Sequence, residues 1–164
     1  MRAPTWIEPG KLLAGRHPCA SGDSADASVR RLLSEGVTLF VDLTQDGELE
    51  PYDYLVQPPA RWTRHPVRDF SVPDSAVLGE VLDAIDAELA AGGVVYLHCW
   101  AGCGRTGVVA GCWLVRHGLS PEEALRQVAR ARGPGCPQTL EQQAAILDWD
   151  EARLGASPAP PSSH

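Results

Sequence analysis

Lysine is all but missing: of 14 basic residues only Lys11 is one, a bias that reads as genome composition before function. Net positive charge is missing too, since 21 acidic residues against 14 basic ones give −7 at pH 7. A surface of that sign disfavours nonspecific binding to nucleic acid or anionic membrane, although it leaves room for a local basic pocket. No long apolar run exists. The longest, Val108 to Val115, falls far short of the roughly 20 residues that a spanning helix needs. No secretory leader is visible, because Met1 to Ala20 carries Glu8, Lys11 and Arg16 and lacks a continuous apolar core. The five cysteines, at 19, 99, 103, 112 and 136, show neither a repeated pairing pattern nor a second ligand pair at zinc spacing. An odd count without a leader points to a reducing compartment, so the expectation is a soluble, cytoplasmic protein without metal or cofactor.

What is present is ordinary in bulk and concentrated in one place. A composition of 44% hydrophobic and 21% charged residues suits a globular protein, and 164 residues suffice for one domain with its own core. The apolar run Val94-Val95-Tyr96-Leu97 leads into His98-Cys99-Trp100-Ala101-Gly102-Cys103-Gly104-Arg105-Thr106-Gly107, and a helical pattern leads out. At a strand-to-helix junction the first helical N–H groups lack partners and the dipole is positive, so a dianion is stabilised there without a metal. Gly102 and Gly104 permit positive φ and close backbone approach, so that the N–H groups of Trp100, Ala101, Gly102, Cys103 and Gly104 can converge on one anion. Arg105 can hold two phosphoryl oxygens bidentately. A cysteine at a helix N-terminus beside a guanidinium is favoured as the thiolate nucleophile, which is the role expected of Cys99.

His-Cys, five residues, then Arg and Thr resembles the signature of the protein tyrosine phosphatases, and the short chain is most similar to their compact dual-specificity members. The same stretch also fits the dinucleotide fingerprint G-x-G-x-x-G from Gly102 to Gly107. That unit requires a second strand with an acidic residue about 20 positions on. Instead Ser120-Pro121-Glu122-Glu123 opens another helix, with Ser as N-cap, Pro at N1 and Glu at N3.

In chain order, Trp6-Ile7 and Lys11 to Gly15 suggest short strands joined by Glu8-Pro9-Gly10. Asp23 or Ser24 caps a helix through Leu33, which Gly36 ends. Val37 to Leu43 reads as a central strand and 44–60, acidic and proline-containing, as a solvated loop. Arg61 to Val67 is a further strand, and Leu78, Val81, Leu82, Ile85 and Leu89 form a helical stripe stopped by Gly92-Gly93. A mostly apolar helix over 106–117 belongs in the core with Cys112, a second runs over 121–132, and Thr139 with Gln142 makes a capping box for a last one over 139–153. Residues 155–164 are expected to form a disordered tail behind a domain of 1–154.

The resemblance implies a fold, a reaction and roles. The fold is α/β: a mainly parallel, twisted sheet with helices on both faces, and the phosphate loop between a central strand and a helix. The reaction is phosphomonoester hydrolysis through a phosphocysteine on Cys99, with Arg105 and the loop amides on the phosphoryl oxygens. Asp69, in Asp-Phe-Ser-Val-Pro-Asp-Ser, matches the general acid of the family's mobile loop, with Val67-Arg68 where the classical members carry Trp-Pro, a pair that the compact dual-specificity members also lack. Asp74 competes for that role, but an Asp just ahead of a helix suits an N-cap better. Thr106 would hydrogen-bond the sulfur as it leaves, and Gln138, at the start of a glutamine loop with Gln142, would orient the hydrolytic water. His98 would hold the loop by hydrogen bonds. Cys103 would be a small filler, with trapping of an oxidised Cys99 as the redox alternative. The implied partners are phosphorylated proteins, with phosphate, sulfate or vanadate as inhibitors. Trp100 and Cys103 occupy positions where phosphoinositide-preferring relatives carry lysine, which favours protein over lipid. The rivals are a phosphate-binding module without turnover and another Cys-loop enzyme, a sulfurtransferase or arsenate reductase.

Overall fold

Alternation of apolar residues sets the two sides of the sheet. In the computed structural model, which describes residues 2–149, strands β1 (Thr5–Glu8), β2 (Leu12–Gly15), β3 (Leu39–Asp42), β4 (Arg61–Arg64) and β5 (Val95–His98) lie in the order β1-β2-β5-β3-β4. Only β1 runs antiparallel to its neighbour, and the other three pairings are parallel. Leu12, Leu39, Val41, Val95 and Leu97 point into one core, whereas Leu13, Phe40 and Tyr96 point into the other. This is the period of two that a strand imposes, applied to strands buried on both faces.

Among the described residues, five α-helices cover those faces unequally. Helix α1 (Ala25–Ser34) packs Val29 and Leu32 onto the smaller core with Phe40. Helices α2 (Ser75–Ala90), α3 (Arg105–Arg116), α4 (Pro121–Arg132) and α5 (Leu140–Leu147) supply the larger one through Ile85, Val108, Val128 and Ile146, among others. Each fully buried Leu, Ile or Val contributes ~1.5–3 kcal/mol, so the larger core carries most of the stability. Helix α3, buried over its first ten residues, runs through its middle.

The helix starts follow the capping logic of the sequence. The side chains of Ser24, Asp74 and Ser120 accept from the N–H groups of Ala27, Val77 and Glu123, and Thr139 with Gln142 forms a reciprocal capping box. Asp74 therefore serves as the N-cap of α2. Helix α5 stops at Leu147, short of the expected 153. The rest of that span beyond Trp149, and the expected tail, lie outside the described residues.

Candidate active site

The turn between β5 and α3 is a cradle whose outer side is fully occupied. The carbonyl of Cys99 meets Nδ1 of His98 at 3.0 Å, and that of Trp100 accepts from the His17 N–H at 2.9 Å. The carbonyls of Ala101 and Gly102 accept from the buried Arg132 guanidinium at 3.3 and 2.7 Å. Those of Cys103 and Gly104 accept from the N–H groups of Gly107 and Val108. In a trans peptide the next N–H points opposite the carbonyl, so tying each carbonyl outward turns the amides inward. Among the described residues, none of the N–H groups from Trp100 to Thr106 donates to a protein carbonyl.

The two glycines of the turn are required for different reasons. Gly102 sits at φ +73°, and a Cβ there would meet the Gly15 carbonyl oxygen at 2.3 Å. Gly104 has an ordinary negative φ of −78°, against the expectation of a positive one. It is glycine because a Cβ would lie 2.5 Å from Oε1 of Gln138 and 2.9 Å from Gln142.

Arg105, 1% exposed, aims its guanidinium at the same point. Glu48 grips it end-on, Oε1 to Nη1 and Oε2 to Nη2, both at 2.9 Å, while Nη1 also donates to the Val67 carbonyl at 2.8 Å. Asp69 Oδ1 lies 3.1 Å from Nη2. Burial opposes the charge on Arg105, but the bonds from Glu48 and the nearby Cys99 and Asp69 outweigh it and raise its pKa above the ordinary value. Nε is buried without any hydrogen-bond partner. Of the Nε–Nη2 edge only Nε is unengaged, and a ligand with two oxygens takes the whole edge by displacing Asp69 from Nη2.

Cys99, Trp100, Ala101, Arg105, Asp69, Phe70 and Gln138 line one cleft of about 290 Å³. The expected nucleophile, arginine, acid and glutamine thus meet, although Asp69 and Gln138 stand 30 or more residues from Cys99 in the chain. Phe70 takes a left-handed φ of +62°, which residues other than glycine rarely adopt, and is 58% exposed at the cleft that Trp100 also lines. Gln142 donates from Nε2 to the Ser71 carbonyl at 3.1 Å, joining the loop of Asp69 to the loop of Gln138. The buried Thr106 hydroxyl makes no hydrogen bond to any described atom.

Two further expectations are corrected. Cys103 is not a small filler, nor is it placed to trap Cys99, because it forms a disulfide with Cys136, a residue that no spacing rule connects to it. The cysteines are accordingly not all reduced. The 44–60 segment is more than a solvated loop, since it delivers Glu48 to Arg105 and a buried Tyr52 to the site's underside. Arg132 and His17 were equally invisible in the sequence, as nothing local marks an arginine that closes a helix or a histidine after a strand.

Below the turn lies a closed polar cluster. Tyr52 Oη and His98 Nε2 are 2.5 Å apart, and Asp42 accepts from the N–H and hydroxyl of Thr44 and from the Trp62 indole at 3.2 Å. Burial lowers the pKa of His98, while burial and the proximity of His98 push that of His17 down to about 4. Both imidazoles are neutral at pH 7, so their 3.9–4.0 Å approaches to Asp42 are not ion pairs. His98 thus bonds the Cys99 carbonyl on one side and Tyr52 on the other.

Comparison with known proteins agrees with this geometry. Residues 1–148 match the family described as Swiss Army Knife protein, DSP-PTPase phosphatase domain (PTP-SAK). A protein of Invertebrate iridescent virus 6 named as a tyrosine phosphatase, 197R, is 30% identical over 138 residues, 80% of this chain and 48% of its own. The chain spans half or less of the curated relatives it matches first. The crystal structure of Tk-PTP in its active form superposes with a TM-score of 0.76 at 30% identity, covering 87% of this chain and 92% of that one. Kinase associated phosphatase with its catalytic-site cysteine replaced by serine reaches 0.77 at 24% identity over 94% and 96%, a likeness of fold. With a phosphate-sized cradle of inward amides, a half-open arginine fork and a match over nearly all its described length, the chain belongs to the DSP-PTPase phosphatase family.

Proposed function

We infer that the protein hydrolyses phosphomonoesters on protein side chains, phosphotyrosine foremost, in the cytoplasm, through a phosphocysteine. The observation that carries this reading is the unpartnered Nε of the buried Arg105, at the edge of a cleft floored by Cys99. A phosphoryl group there receives two bonds from the guanidinium while Glu48 keeps its grip on the other end. Cys99 attacks phosphorus; inward amides and Arg105 stabilise the equatorial oxygens. Asp69, released from Arg105 by the incoming phosphoryl group, takes up a proton from solvent and gives it to the departing oxygen. In the second step Gln138 orients a water, Asp69 takes its proton, and the Thr106 hydroxyl, free of competing bonds, donates to the leaving sulfur. The aromatic rim of Phe70 and Trp100 suits an aryl ester, and the absence of lysine from the loop favours protein over lipid.

Aryl phosphates of graded leaving-group pKa test the assignment. Cys99→Ser is expected to be inactive, and Asp69→Ala to lose about 10²–10⁴-fold with poor leaving groups and least with the best ones. Loss of equal size across the series would remove Asp69 from the acid role. Phosphate, sulfate and vanadate are expected to inhibit competitively.

A further inference from the structure

Two separate devices hold the outer half of the cradle, and they do different things. Arg132 fixes the peptides of Ala101 and Gly102 by their carbonyls, independently of any cysteine. The Cys103–Cys136 bond instead joins the turn to the segment that carries Gln138, two residues after Cys136. That segment is held at other points: the Cys136 N–H donates to the Gly133 carbonyl, and Nε2 of Gln143 donates to the Pro137 carbonyl at 3.1 Å. Gln138 itself makes no hydrogen bond among the described residues, and its Oε1 leans on Gly104, so close that a Cβ there would lie 2.5 Å away. With the bond formed, the short chain from Cys136 keeps the amide of Gln138 against the turn. With it broken, the covalent tie is gone and only packing, of Gln138 on Gly104 and of Pro137 on Gly107 of α3, holds the amide to the turn, while the oxyanion cradle stays on Arg132.

We propose that Cys103 and Cys136 form a reversible thiol–disulfide switch that sets the rate of phosphocysteine hydrolysis by fixing Gln138 against the phosphate loop. It rests on the water-positioning role given to Gln138 above. Cys103 is half-buried and not enclosed, so a small reagent can reach it. The oxidant is a low-molecular-weight disulfide. One cysteine thiolate attacks it, forming a mixed disulfide and expelling one small thiol. The second thiolate then attacks the mixed disulfide and expels the other, so the protein loses two protons and two electrons to two small thiols. A dithiol reverses both steps. Disulfides in reducing compartments are commonly transient and sensory, which fits a bond at a rate-controlling position.

The switch predicts a change in the second chemical step alone. Wild type is oxidised with glutathione disulfide while inorganic phosphate shields Cys99, freed of phosphate, and compared in stopped flow with the dithiothreitol-reduced enzyme on an aryl phosphate with a good leaving group. The oxidised enzyme is expected to release aryl alcohol linearly. Reduced wild type and Cys136→Ser are expected to show a burst approaching one equivalent, then kcat lower by about tenfold, with kcat/KM unchanged because it reports phosphoryl transfer to Cys99. Gln138→Ala is expected to burst in both redox states. Equal kcat and no burst in reduced wild type overturn the switch. So does a Cys136→Ser enzyme that still responds to glutathione disulfide, which would make Cys99 the sensitive thiol. A Gln138→Ala enzyme without a burst removes the water-positioning role first, and the switch with it.

Discussion

Arg105 has five N–H donors, and the protein engages every one except Nε, with Nη2 shared between Glu48 and Asp69. Glu48 therefore does more than balance charge: it fixes the rotation of the fork so that the open edge faces the cleft. Glu48→Gln removes one acceptor and the charge while keeping the shape. Its kcat/KM on aryl phosphates is expected to fall about 10–100-fold and competitive inhibition by phosphate to weaken in parallel. An unchanged inhibition constant would return Glu48 to the role of a surface acid. Cys99, Arg105 and the Asp69 loop were legible because their pattern is written in consecutive residues. Glu48 was not, since it reaches Arg105 from 57 residues away and only the fold shows the meeting. The same holds for Arg132, 30 residues from Gly102.

Among the elements, the helices were the most readable, because caps and apolar stripes are local chemistry. Ser24, Asp74, Ser120 and Thr139 each begin the helix their position suggested. Helix packing is less readable, and α3 shows why. Gly111 lies in mid-helix, where a glycine ordinarily loses about 1 kcal/mol against alanine. Here a Cβ would meet the fully buried Ile146 of α5 at 2.3 and 2.7 Å. Overpacking of that kind costs ~1–3 kcal/mol and exceeds the propensity gain. Gly111→Ala is expected to lower the melting temperature by a few degrees in a thermal scan, and the paired variant with Ile146→Val to recover part of it. A Gly111→Ala protein more stable than wild type would show that α5 moves aside without loss.

At the scale of the whole molecule, the sign of the surface and the sign of the site differ: an excess of acidic residues outside, a guanidinium and a ring of amides within. The composition reported the first and said nothing of the cluster beneath the turn, where His17, His98, Asp42 and Tyr52 are all buried. His17 titrates near 4 when folded, against about 6.5 when unfolded, so the unfolded chain binds its proton first as pH falls. The stability it lends is complete above pH 6.5 and is lost on the way down to 4. Between pH 7 and 5 the loss is on the order of 2 kcal/mol, with Arg64 adding to the pressure against protonation and Asp42 and Glu48 opposing it. His17→Asn is expected to flatten that part of a urea-denaturation profile, and an equally steep profile would assign the acid sensitivity elsewhere. One joint crosses the molecule. The guanidinium of Arg132 that steadies Ala101 and Gly102 also takes hold of the Ala3 carbonyl, the Thr5 hydroxyl and the Ala14 carbonyl. A single buried guanidinium thus anchors the first strand, the second strand and the anion turn together, so loss of Arg132 loosens all three at once.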